Sequence, residues 1–140
     1  MSLVSYAARL AIKPKGPVEE AIFEHIWQQT PVETVLALLM QAEVFLYAQK
    51  SDGPDPKPLV MQGRDGNPAM LVFTSRDRAA SVTKQLPAGS AEPLTLAFTA
   101  VLRWAPIELG MAINSGSALG AECTPAQMDV LRKQAGIFRP

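Results

Sequence analysis

A single cysteine, Cys123, and a single histidine, His25, occur in 140 residues. One cysteine excludes an intramolecular disulfide and fits a reducing compartment. One of each also falls short of the four ligands a structural zinc site takes, so no metal is expected. No charge excess exists either: 13 Lys and Arg balance 13 Asp and Glu for a formal net charge of +0. That balance argues against a general nucleic-acid binder, because phosphate affinity needs net or clustered positive charge. No apolar run approaches the roughly 18 residues that cross a bilayer. The opening MSLVSYAARLAIKPKG lacks the charged-then-apolar order of a secretory signal. A cytoplasmic protein without a membrane span is the expectation. GxGxxG, GxxxxGK[ST] and GxSxG are all missing, and no cofactor is expected.

What is present is apolar material in periodic order. Hydrophobic residues make up 48% of the chain, enough for one core and too many for a disordered chain. The cations Arg9, Lys13 and Lys15 precede the first acid, Glu19, and the breaker cluster Lys13-Pro14-Lys15-Gly16-Pro17 closes this stretch. Residues 1–17 therefore read as a flexible or docking arm, and 18–140 as the domain. Val18, Ala21, Ile22, Ile26 and Trp27 mark a helix face. Thr30-Pro31-Val32-Glu33 predicts a second helix start, with Thr30 as the cap.

Strands are expected at 44–48, 58–61 and 69–73, the last two as an antiparallel hairpin across the glycine- and proline-rich 63–68. A helix over 76–85 follows, capped by Thr74 or Ser75. A strand at 94–98, a short helix at 99–104, an apolar central strand at 110–114 and a brief return segment at 117–121 come next. Thr124-Pro125-Ala126-Gln127 repeats the capping pattern before a final helix that Gly136 ends. Strands interspersed with helices imply an α/β or α+β fold: a single domain with a mixed β-sheet covered by helices.

Chemistry is thin. His25 lies in a helix with no identified carboxylate partner. Cys123 precedes the last helix, whose amino end would favour a thiolate, but no base accompanies it. The aromatics fall mostly inside apolar segments, where they fill a core. Arg76, Trp104, Asn114 and Ser115 are the candidate partner contacts: a cation, an aromatic anchor and two short hydrogen-bonding groups beside a strand. Asp65, Ser75, Asn114 and Cys123 are the candidates for the alternative, a loop-built pocket of a small-molecule sensor or enzyme. Of these two readings the first, a noncatalytic regulatory or protein-interaction domain with an unidentified protein partner, is preferred. A homodimer is open to it.

Leu71-Val72-Phe73-Thr74-Ser75 after a glycine/proline turn, and Gly110-Met111-Ala112-Ile113-Asn114-Ser115-Gly116, resemble the amino-terminal domain of the SseB protein family. These are bacterial proteins linked by name to enhanced serine sensitivity. The Thr124-Pro125 helix and the early helix followed by 44–47 fit the same pattern, over roughly residues 18–135. The resemblance implies a mixed α/β domain and brings no catalytic set. Ser115 stands where the family's Asn-Pro-Gly turn has proline, so the fixed backbone angle is absent there.

Overall fold

The computed structural model describes residues 3–49, 57–63, 66–83, 91–115 and 118–137. Side-chain alternation builds the sheet. In β1 (Glu43–Gln49), Val44, Leu46 and Ala48 face one way and Phe45 and Tyr47 the other, as the period of two requires. In β4 (Pro68–Phe73), Met70 and Val72 share the first face and Leu71 and Phe73 the second. β1 and β4 are antiparallel, with Phe45 opposite Phe73. β6 (Gly110–Ile113) is buried throughout and runs parallel to β4, Val72 opposite Ile113. β7 (Ala121–Cys123) returns antiparallel to β6. On the far side of β1 lies β5 (Ala91–Ala97), also antiparallel. Among the described residues one parallel pair stands among antiparallel ones, which makes the sheet mixed, as expected.

The segment expected as one strand at 58–61 divides into β2 (Lys57–Pro58), which pairs with β1, and β3 (Val60–Gln62), which pairs with β4. Leu59 is the reason. Its N–H donates to the Tyr47 carbonyl while its carbonyl accepts from the Leu71 N–H. A residue in a regular strand turns both groups toward one neighbour; Leu59 turns them to opposite neighbours and so wedges the chain between diverging strands.

Helices cover the first face: α2 (Gly16–Gln28), α3 (Val32–Leu39), α5 (Phe98–Trp104) and α6 (Pro125–Gln134). Phe23, Leu39, Leu102, Met128 and Leu131 from these helices close on Val44, Leu46, Met70, Val72, Met111 and Ile113 to form the principal core. Burying each such side chain contributes about 1.5–3 kcal/mol relative to exposure. The second face carries a smaller cluster of Tyr47, Phe73 and Ala79, the last from α4 (Arg76–Thr83).

One helix start differs from the sequence expectation, and another settles between the two caps expected for it. Pro31, not Thr30, occupies the cap position of α3, and no side chain caps it. Ser75 caps α4 by accepting the Arg78 N–H at 3.3 Å, because Thr74 is engaged elsewhere. The α6 capping box forms as expected, with Thr124 and Gln127 bonding reciprocally at 2.8 and 3.1 Å. Ahead of the breaker cluster, within the stretch read as an arm, residues 3–12 form α1 (Leu3–Ile12), with Ala8 and Ile12 packed against the principal core.

Candidate functional site

Parallel strands β4 and β6 end side by side, and the carboxyl ends of parallel strands are where open α/β sheets gather ligands. The chain leaves β4 through Thr74 and Ser75 and leaves β6 through Asn114 and Ser115. Asn114 takes a left-handed backbone, φ 51°, a conformation asparagine adopts more readily than most residues. Its side chain is fully buried. Nδ2 donates to Thr74 Oγ1 at 2.8 Å and to the Leu119 carbonyl at 3.3 Å, and Oδ1 accepts the Thr74 N–H at 3.0 Å.

From Thr74 the network runs inward. Its hydroxyl donates to Glu19 Oε2 at 2.8 Å. Glu19, on the first turn of α2, has no exposed surface. Its Oε1 accepts from Arg78 Nε and Nη2, at 3.2 and 3.1 Å, and from the Lys15 N–H at 3.1 Å. Arg78 Nη2 also donates to the Ile12 carbonyl at 3.1 Å. A carboxylate can stay buried only when paired and hydrogen-bonded, and here both conditions hold. Donors and acceptors of the group answer one another, so what it does chemically is tie α1, α2, α4 and the ends of β4 and β6 together.

Around this buried group lies a surface. Arg76 is exposed, with its guanidinium 5.9 Å from the centroid of the half-buried Phe45 ring, at the outer limit of cation–π contact. Ser115 Oγ donates to Met61 Sδ at 3.2 Å, and Met61 is exposed. Phe45 lies opposite Phe73 across β1 and β4, and Asn114, the residue after β6, donates its N–H to the Val72 carbonyl at 2.8 Å. Arg76, Asn114, Ser115 and Ser75 thus gather at one end of the sheet.

Trp104 does not join them: it lies on α5, against the principal core on the first face. Cys123 does not either. It sits at the end of β7 opposite Met111, near the start of β6, beside a crevice of about 30 Å³ that Gly110, Thr124 and Pro125 also line. Burial pushes the Cys123 thiol pKa up, so desolvation outweighs whatever the amino end of α6 offers a thiolate. Asp65 lies outside the described residues. His25 Nδ1 is 2.6 Å from the Thr30 carbonyl and ties the end of α2 to the turn before α3.

Sequence reading missed Glu19 and Arg78 as a pair. The available signal was an acid within an apolar stripe, since Glu19 stands three and seven residues before Ile22 and Ile26. A second concave feature is an open groove of about 380 Å³ between α3 and α6, lined by Leu36, Ala37, Met40 and Ala135 with Glu33 and Gln134. Among the described residues no group of three or more His, Cys, Asp or Glu could hold a metal, and no helix is long and apolar enough to cross a membrane. The family model described as the SseB protein N-terminal domain matches residues 18–129. No curated protein and no solved structure matches the chain.

Proposed function

From the premise that the chain belongs to the SseB protein family, we propose that it is a noncatalytic regulatory or protein-interaction domain acting in the cytoplasm. Its partner surface is the second sheet face near the ends of β4 and β6. The observation that supports this is the unequal cover of the two faces. Four helices close the first face. Among the described residues α4 alone supplies helical cover to the second, leaving Phe45, Leu59 and Leu71 half-buried beside exposed Met61 and Arg76. An apolar patch with a cation at its rim is the composition of a protein contact. Asn114 supports that surface from beneath; Arg76 and Ser115 lie on it. The partner is an unidentified protein, a second copy of this chain included.

A small-molecule sensor is the second reading. It is favoured by the groove between α3 and α6, whose volume of about 380 Å³ falls within the usual range of ligand sites. Native capture of the full chain, followed by analysis of both bound proteins and bound small molecules, tests the choice. A stoichiometric protein that is lost with Arg76→Glu supports the interaction reading. A retained small molecule that is lost with Met40→Trp, and no Arg76-dependent protein, contradicts it.

A further inference from the structure

We infer that α1 is an ionically latched strap that leaves the domain without unfolding it. Three of the ion pairs among the described residues bind α1, its linker or their anchor to the body. Arg9 pairs with Glu20 on α2, Lys15 pairs with Asp77 on α4, and Arg78 pairs with Glu19 while donating to the Ile12 carbonyl. Arg9 also lies over the Phe23 ring, 4.6 Å from its centroid. Among the described side chains of α1 the apolar attachment is small. Over residues 7–12, only Ala8 and Ile12 pack on the core, and Leu10 is 59% exposed. The Arg9–Glu20 and Lys15–Asp77 pairs lie at half-exposed positions, where ion pairs hold weakly and are screened by salt.

Two features favour release. Arg9 Nε is buried with no hydrogen-bond partner, and undocking returns that donor to water. Lys13 holds a left-handed backbone, φ 55°, directly before Pro14, where the following ring favours extended geometry; a freed linker relaxes it. Arg78 keeps its Glu19 partner throughout, so the buried network survives the loss of Ile12. Release uncovers Phe23, which stacks on Trp27 at 6.0 Å between centroids. Together with the exposed Ile26 and Trp27, it makes one continuous aromatic and aliphatic surface on α2. This surface is separate from the second-face patch, and the strap does not depend on that reading.

Amide hydrogen exchange on the full chain at about 0.05 and about 0.5 M salt tests this, since screening shortens from roughly a 14 Å to a 4 Å range. Amides of residues 7–13 are expected to exchange at least about fivefold faster at high salt, with those of β1, β4 and β6 unchanged. Glu20→Gln, at a partly exposed position, reproduces the acceleration at low salt and reduces its salt dependence. Exchange of residues 7–13 at the rate of the central strands in both salts overturns the inference. So does faster exchange that ignores both salt and Glu20→Gln.

Discussion

Glu19 and Arg78 show how one pair decides a local architecture. The carboxylate is wholly buried while the guanidinium keeps 21% exposure, so removing the acid strands a largely desolvated cation together with the Thr74 hydroxyl. Glu19→Ala is expected to lower unfolding stability by about 3–5 kcal/mol in urea titration, the range for breaking a buried pair. A change below about 1 kcal/mol would place the pair in effective contact with solvent. Cys123 gives a residue-scale test of opposite character. Its thiol pKa is raised on folding by desolvation, so the unfolded chain releases its proton first as pH rises. Stability from this group is then intact below the ordinary thiol range and declines above it. Cys123→Ser is expected to remove that alkaline decline, and the folded thiol should react with a disulfide reagent more slowly than a free thiol at the same pH. The absence of a second cysteine and of a local base was visible in the sequence. The burial that disfavours the thiolate was not, because it depends on α6 and β6 packing around position 123.

At the scale of elements, β1, β4 and β6 were legible because their alternation, or in β6 the unbroken apolar run, follows from which faces they bury. The break at Leu59 was not, since it arises from two flanking strands that diverge. Nor was the Glu19–Thr74–Asn114 group, whose members stand 55 and 40 residues apart along the chain. Helix α1 was hidden by the breaker cluster that follows it, which marks a boundary but says nothing of what docks across it. Among the described residues β5 pairs with β1 alone and lies at an edge of the sheet, and it carries a device of its own. The Phe98 N–H donates to Ala42, and Glu43 lies opposite Ala97. With alternation, the groups of Thr95 and position 93 therefore point away from β1. Pro93 sits where an outward N–H would be, and proline there blunts edge-to-edge pairing. Pro93→Thr is expected to increase self-association in sedimentation velocity at high protein concentration while leaving the far-ultraviolet dichroism unchanged. An unaltered monomer–dimer balance would mean that the edge is protected by something other than proline.

For the whole molecule, composition and periodicity foretold a single domain with a mixed sheet covered by helices, which follows from burying periodic apolar faces. The unequal cover of the two sheet faces was not foreseeable, because helix periodicity does not say on which side of a sheet a helix lands. Arg76 and Ser115 were singled out as candidate partner contacts, a cation and a short hydrogen-bonding group beside a strand; their proximity is a product of the parallel pairing of β4 with β6 and of the turn after each. Trp104, equally prominent in the sequence, is drawn to the opposite face by α5. The proposed partner surface therefore rests on Met61, Phe45, Arg76 and Ser115 rather than on the aromatic that looks most like an anchor. The most direct measurement is site-specific photo-crosslinking in the native host from position 61, with the exposed Val130 on α6 as the comparison site. A discrete protein adduct from position 61, absent from position 130 and abolished by Arg76→Glu in a chain that stays folded, is the expected result. Equal adducts from both positions, or an adduct at 61 indifferent to Arg76→Glu, would contradict the second sheet face as the partner surface.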